Sequence, residues 1–539
     1  MKKDNKKNDA AAILEIVGLA YNGYGVGKEQ DKCSDKITFV DHACPGDIAE
    51  VVIYEEHKRY GFGKINKIVS PSAFRVKPVC RYFTLCGGCN YLNISYETEV
   101  YWKKKIFADN FAKAGLSIDN NKLYETIDII KSENVLHYRQ KISLKVHSDE
   151  AIGLFKKNSH CVVDIDYCYL ASGSINTMIE TLRNFFLKNN KSLLKKIKSI
   201  ILTDVEARSA ILQLKEEFSG KEKKLLSNLD ITKIYIEFNG KKEKIEKKID
   251  TQEIRKTMKI KEDITGGAEA EDAEEAKDAA DDDIYISADI KEINAGRRQI
   301  CSNNYFDAAY DYFTLSGIKF AYESFSFIQV NKKQNENLIN LIIKYLTDYQ
   351  TKRCGILNKD NFLFDKALDL FCGYGNLTFF ALPFVSQMTG VESNIYSIEL
   401  ANQNIILNNN LIERIERCIP DRYKKHSYKK QPFISFINED VEKFLINAVK
   451  NNSSYDLIMI DPPRAGIKGL VGYIAELNPK LVIYLSCDHM TLLRDLKEFV
   501  QEGYFIDDIK LIDMFPRTYH TESLVFLKNE KIINKNKSN

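Results

Sequence analysis

Cys487 lies in the segment YLSCD, Asp461 in IDPPR and Glu522 in DMFPRTYHTES, each where an apolar run ends or begins. A thiol beside a carboxylate is a nucleophile beside a base. Methylation at C5 of a uracil needs that pair and a methyl donor. The C5 carbon is a poor nucleophile until a thiolate adds to C6 and makes it enolate-like. After methyl transfer a base removes the C5 proton and the thiol is eliminated. A lone cysteine at a strand end is commonly structural, and His520 by itself reads as a satisfied polar residue. The thiol, the carboxylate and the Asp-Pro-Pro-Arg turn together point to chemistry.

The methyl donor has candidate partners upstream. In KALDLFCGYGN a buried strand ends at Asp369 and runs into the turn Phe371 to Asn376, whose glycines let backbone approach a ligand at the carboxyl end of a strand. The turn is not a GxGxxG fingerprint, which argues against a dinucleotide. The next strand, QMTGVES, ends in Glu392, suited to a ribose diol. FISFINED ends in Asp440, suited to an adenine amino group. This ordered set of acids fits S-adenosylmethionine.

Those strands belong to a region, from about residue 320, in which strands and helices alternate, the pattern of a doubly wound parallel sheet. Residues 13–70 read instead as short, evenly spaced strands, the pattern of a small β-barrel. Between them come PVCRYFTLCGGCNY, the helical stretch YETEVYWKKKIFADNFAKAG, and further strands from residue 135 to 170. The three thiols of PVCRYFTLCGGCNY, with further cysteines downstream, suit an iron–sulfur cluster or zinc. The block AEAEDAEEAKDAADDD at 268–283 is too acidic to enter a core and is expected to be a disordered surface insertion.

The chain has 539 residues, 44% of them hydrophobic, and a net charge of +3. The length suits about three domains. Overall charge does not announce a nucleic-acid binder, but the local stretches VYWKKKI and HYRQK, the latter with Arg139 and Lys141, offer phosphate contacts. No membrane-length apolar run is present and the basic start lacks an apolar leader core, so a cytoplasmic location is expected.

The segments FSFIQVN, DLFCGYGNLT, GVES, DPPRAG, SCDHMTLLRD and DMFPRTYHTES, in this order, resemble the RNA uracil-5-methyltransferases that act on 23S ribosomal RNA or tRNA. The resemblance implies that Cys487 is the nucleophile and Glu522 the base. It implies that Gln329, Phe371, Asn376, Glu392, Asp440 and Asp461 bind S-adenosyl-L-methionine, and that Phe327 lines the target-base pocket, where the aromatics at 325 and 327 would stack on an extruded uracil. Cys80, Cys86 and Cys89, spaced C-x5-C-G-G-C, with Cys168 match the family's ligands for a [4Fe–4S] cluster; Cys161 is a rival fourth ligand. The barrel is similar to the RNA-binding TRAM domain. His489 departs from the pattern by standing where the family usually has proline.

The implied architecture is multidomain, β and α/β: a tail at 1–10, a TRAM- or OB-like barrel at 11–70, a central α+β iron–sulfur domain at 71–319 with a disordered acidic insertion at 262–283, a Rossmann-like methyltransferase domain at 320–529, and a tail at 530–539. The stretch near 180–285 lies outside the resemblance. Barrel plus cluster favours structured RNA of the 23S kind as partner, and a monomer. The competing readings are a tRNA uracil-C5 enzyme, a C5-cytosine methyltransferase, which would carry Pro-Cys where this chain has DPPR, and a non-catalytic RNA-binding iron–sulfur protein, which would lack Cys487 or Glu522.

Overall fold

The computed structural model describes residues 11–29, 36–116, 127–147, 149–245, 310–354, 362–408 and 432–530. The two expected tails, at 1–10 and 530–539, fall outside them except for Glu530, and so does the expected insertion at 262–283.

Five strands close a barrel: β1 (Ala11–Leu19), β2 (Gly25–Glu29), β3 (Ile37–Asp41), β4 (Ile48–Glu56) and β5 (Tyr60–Ser70), in the order β1-β2-β3-β5-β4, with β4 pairing back onto β1. Alternation does the work: Leu14 and Ile16 of β1, Val40, Ala49 and Val51 fill the interior. So small a barrel has room for little else. A Cβ on Gly63 would lie 2.4 Å from the Val51 side chain.

Helix α1 (Tyr96–Lys113) starts where the Ser95 hydroxyl accepts the Thr98 N–H. The short strand β6 (Asp128–Ile130) follows. A seven-stranded sheet is then built from β7 (Lys141–Val146), β8 (Ile152–Phe155), β9 (Val162–Asp164), β10 (Ile197–Asp204), β11 (Arg208–Leu214), β12 (Lys233–Phe238) and β13 (Lys241–Ile245), in the order β13-β12-β11-β10-β7-β8-β9. Helix α2 (Gly173–Asn189) covers it, burying Ile175, Ile179, Leu182 and Phe186 in a common core with Leu144, Ile200 and Leu212. Residues 180–245 are therefore not an appendage to this unit. They supply four of its seven strands, a fact hidden in sequence because long-range strand pairing has no local signature.

The C-terminal body opens with the hairpin β14 (Asp311–Leu315) and β15 (Ile318–Tyr322) and helix α3 (Lys332–Cys354). It continues with β16 (Phe364–Leu370), β17 (Val385–Glu392), α4 (Ile395–Leu407), β18 (Phe433–Asn438), α5 (Val441–Lys450), β19 (Leu457–Ile460), β20 (Leu481–Ser486), α6 (His489–Gln501), β21 (Tyr504–Ile512) and β22 (Glu522–Asn529). The sheet order is β18-β17-β16-β19-β20-β22-β21-β6. The first five strands are parallel, with β19 and β20 buried along their whole length; β22 runs antiparallel to both neighbours. Cores lie on both faces. One holds Met388, Met459, Ile483 and Phe526 against the hairpin and α3; the other holds Leu368, Ile458, Val482 and Val525 against α6.

Helix α1 and β6 sit inside the expected 71–319 segment, yet they pack into this C-terminal body. Phe107 and Phe111 of α1 share the α6 core, and β6 adds a parallel strand beside β21. The join is also ionic. The ammonium of Lys103, fully buried, donates to Glu99 Oε1 at 2.7 Å and to Asp513 Oδ1 at 2.7 Å. Tyr96 donates to the other Asp513 oxygen at 2.7 Å, and the Arg517 backbone N–H donates to Glu99 at 2.7 Å. Burial opposes the charge on Lys103, but Asp513 and Glu99 outweigh it and hold its pKa above the usual value.

We expect Lys103→Met to lower stability by about 3–5 kcal/mol, because it leaves Asp513 buried without its cation and Glu99 with Arg517 alone. Denaturant or thermal unfolding checks it. A loss under about 1 kcal/mol would show that the cluster is not what joins α1 to the loop after β21.

Candidate active site

Parallel strands end at one edge of a sheet, so the acids closing β16, β17 and β19 meet there. Leu370 pairs with Ile460 and Ile460 with Tyr484, which sets Phe371, Asp461 and Leu485 on neighbouring strand ends. Cys487 follows β20 directly. Because β22 is antiparallel, with Ser486 opposite Ser523, extending the register by one residue sets Glu522 against Cys487. The reversed last strand is thus what delivers the carboxylate to the thiol.

The turn after β16 is tightly wound. Phe371 has φ +63°, a left-handed conformation that costs a non-glycine residue about 1–3 kcal/mol. Gly375 has φ +90°, and a Cβ there would meet the Phe379 ring at 2.5 Å. Glu392 accepts the Gly373 N–H at 3.3 Å and the Asn394 N–H at 2.8 Å. Asp440 caps α5 through the Lys443 N–H. Asn376 is buried in a reciprocal amide pair with Asn335, at 3.0 and 3.1 Å. Gln329 lines a cavity with Asn335, Tyr374 and Ile328 beneath the same turn. Phe327, two residues earlier, is 71% exposed.

The edge is crowded with carboxyls. Asp369 is buried, and burial pushes its pKa to about 7 despite the donated hydrogen bond from Thr378, with Asp461 and Glu392 adding to the rise. One of its oxygens has no partner among the described residues. Burial raises Asp461 to about 7, and burial then Asp461 raise Glu522 to about 8. The Cys487 thiol is pushed to about 11 by burial and by Glu522, against the pull of Arg464. This is a pocket short of positive charge. A cation seated there would lower all four groups together.

Arg464 was not singled out in sequence. Its guanidinium donates to His520 at 3.3 Å, and His520 is held neutral, near pKa 4, by burial and by that cation. One lysine from each of the two basic stretches is tied up within the protein. Lys103 is in the buried cluster. Lys141 is half-buried, donating to the carbonyls of Ser324 and Ser326 at 3.1 and 2.7 Å, which holds the loop carrying Phe327 and Gln329. His489 occupies the first position of α6, behind the N-cap Asp488. That is where proline is tolerated best because its absent N–H has no helical partner, so histidine there breaks no backbone bond. Its ring packs against Phe107 and Tyr21.

Cys80, Cys86, Cys89 and Cys168 line one cavity, with Arg139 in its wall, while Cys161 is exposed and does not. The Gly88 N–H points at Cys86 Sγ at 3.4 Å. Burial raises Cys89 well above the usual thiol value, and Cys168, Cys86 and Cys80 raise it further. Asn176 clamps the Cys168 turn, accepting its N–H at 2.8 Å and donating to its carbonyl at 3.0 Å. Among the described residues no three His, Cys, Asp or Glu converge closely enough to hold a single metal ion.

The C-terminal body, with its sheet order and ligand-binding edge, is that of an S-adenosylmethionine-dependent methyltransferase. The crystal structure of Pyrococcus abyssi tRNA (uracil-54, C5)-methyltransferase in complex with S-adenosyl-L-homocysteine has the same fold over 96% of this chain and 100% of that one, with a TM-score of 0.59 at 20% identity. The family described as tRNA (Uracil-5-)-methyltransferase matches residues 269–530. An RNA methyltransferase of Clostridium tetani is 26% identical, and the 23S rRNA (uracil(1939)-C(5))-methyltransferase RlmD of Histophilus somni 25% identical, each alignment covering 98% of both chains. The chain is thus similar to RNA uracil-C5-methyltransferases over nearly its whole length, and its C-terminal part matches the model of that family. Among the described residues no helix is long and apolar enough to cross a membrane.

The raised pKa of Glu522 carries a stability consequence. Folded, this carboxyl stays protonated up to about 8, whereas unfolded it ionises near 4.5. Between those values folding takes up a proton, so stability falls as pH rises through the window. Glu522→Gln lacks that loss. We expect its melting temperature relative to the parent to climb as pH goes from about 5 to about 8, corresponding to a few kcal/mol. A flat difference would show that Glu522 is already ionised in the free protein.

Proposed function

We propose that the protein methylates C5 of a uridine in 23S ribosomal RNA by covalent addition of Cys487 to C6 and removal of the C5 proton by Glu522. The observation that carries this is the strand register that sets Glu522 against Cys487 at the ligand edge. S-adenosyl-L-methionine, when bound, supplies the methyl group and a positive charge. The pocket suits it: Glu392 has an oxygen toward the turn glycine, Asp369 holds a buried oxygen without a partner among the described residues, and burial raises Asp461. Phe371, Asn376, Gln329 and Asp440 complete the contact set.

In this reading the Cys487 sulfur bonds to C6, the C5=C6 double bond opens, and C5 takes the methyl group. Glu522, ionised for the purpose, then takes the C5 proton as the sulfur–C6 bond breaks. Arg464 is the group whose charge favours the thiolate. Phe327, exposed two residues before Gln329, would stack on an extruded base.

The four-cysteine cavity fits a [4Fe–4S] cluster. The four thiols line one cavity, and a group with one metal per thiolate suits such a lining. Cys80, Cys86, Cys89 and Cys168 would hold it, with Asn176 fixing the last of them. Sequence similarity to a 23S rRNA enzyme over 98% of both chains supports ribosomal RNA as the target.

Mapping 5-methyluridine in ribosomal and transfer RNA from cells with and without this gene tests the target; a loss confined to tRNA would overturn it. Cys487→Ala should abolish turnover. Glu522→Gln should accumulate a protein–RNA adduct stable to denaturing electrophoresis, because the C5 proton has no base to take it. Normal turnover by either variant would exclude the assigned role.

Protein prepared without oxygen should contain iron and sulfide. Cys168→Ser should lose them and Cys161→Ser keep them. Zinc without iron would refute the cluster.

A further inference from the structure

The β1–β2 turn of the barrel enters the C-terminal body beside the site. Its Tyr21 hydroxyl donates to Asp488 Oδ2 at 2.7 Å. The other Asp488 oxygen caps α6, accepting the N–H groups of Met490 and Thr491, each at 3.0 Å. Asp488 is therefore held from both sides, and Cys487 is its neighbour in the chain. The same tyrosine ring lies 5.2 Å from His489 and 6.0 Å from Tyr519, the latter three residues before Glu522. One side chain of the barrel thus touches both the turn that carries the thiol and the loop that carries the carboxylate.

The docking beneath it is firm. Leu19, Cys44, Tyr91, Ile94 and Ile106 form a buried cluster with Tyr21, Trp102 and Tyr519 packed against it. A Cβ on Gly18 would sit 2.5 Å from the Trp102 ring. The backbone under Tyr21 therefore has little freedom, and its hydroxyl is a fixed point against which the Asp488 carboxylate is set.

We propose that Tyr21 is a positioning residue for the methylation reaction: through Asp488 it fixes the turn that aims Cys487 at the target base. This rests on the thiol-addition reading above. It makes the barrel part of the catalytic apparatus and not only a surface for RNA.

Tyr21→Phe removes the hydroxyl and keeps the ring in the junction. Its test uses full-length enzyme and RNA carrying 5-fluorouridine at the target. After Cys487 adds and the methyl group transfers, C5 bears fluorine where the proton should be. No base can remove it, and the covalent adduct accumulates.

The rate of adduct formation at saturating RNA should fall about tenfold in Tyr21→Phe, with RNA affinity and the KM for S-adenosylmethionine unchanged, the scale expected when a hydrogen bond to a charged group is partly lost in the transition state. In an Asp488→Ala background the same change should have no further effect, because the hydroxyl no longer has its acceptor. An unchanged adduct rate, whether or not the melting temperature drops, would overturn the proposal. So would a defect seen only as weaker RNA binding, which would make Tyr21 an RNA contact. A parent enzyme that forms no adduct would instead overturn the thiol-addition reading itself.

Discussion

A buried ammonium sits at the join between the C-terminal body of this protein and the helix that precedes it. Lys103 sits between Glu99 on its own helix and Asp513 at the end of β21, with no solvent to screen any of the three. The arrangement is costly to desolvate and specific in consequence, since each charge is tolerable only while the others are in place. Asp513 begins the loop that ends in Glu522, and Arg517 in that loop, at φ +68°, bonds back to Glu99 and to the Ile94 carbonyl. Gln334 of α3 closes the ring by donating to the Asp513 carbonyl at 2.8 Å. The proposed base thus hangs from a loop pinned at several points by residues hundreds of positions away.

Much of the ligand edge was legible in the sequence. Apolar strands of a parallel sheet announce themselves as continuous runs, and the polar residue ending each run must lie at the ligand edge. That is enough to bring Asp369, Glu392, Asp461 and Cys487 together before any coordinates are seen. Glu522 was recognisable for a different reason, its place in DMFPRTYHTES just before a final strand; the reversed direction of that strand was not legible. The barrel was legible from its short alternating strands.

What was not legible depends on distance along the chain. Nothing local to VYWKKKI says that its first lysine is buried, since three adjacent lysines look like a solvated face and only the tertiary carboxylates reveal otherwise. Nor does anything local mark Lys141, whose partners are backbone carbonyls with no sequence signature. The seven-stranded sheet used residues 180–245 through pairings such as β10 with β7, which no periodicity encodes. The bond from Tyr21 to Asp488 spans 467 positions.

Strand β6 and helix α1 also set the order in which this protein can be assembled. They leave the ribosome long before β21 and α6, the elements against which they are buried. At about 5–20 residues per second, Phe107 and Phe111 wait on the order of half a minute for their partners. The methyltransferase sheet therefore cannot mature as an independent C-terminal unit during translation. Its outermost strand has already been made, and must be kept unpaired and its apolar helix shielded until the last residues arrive.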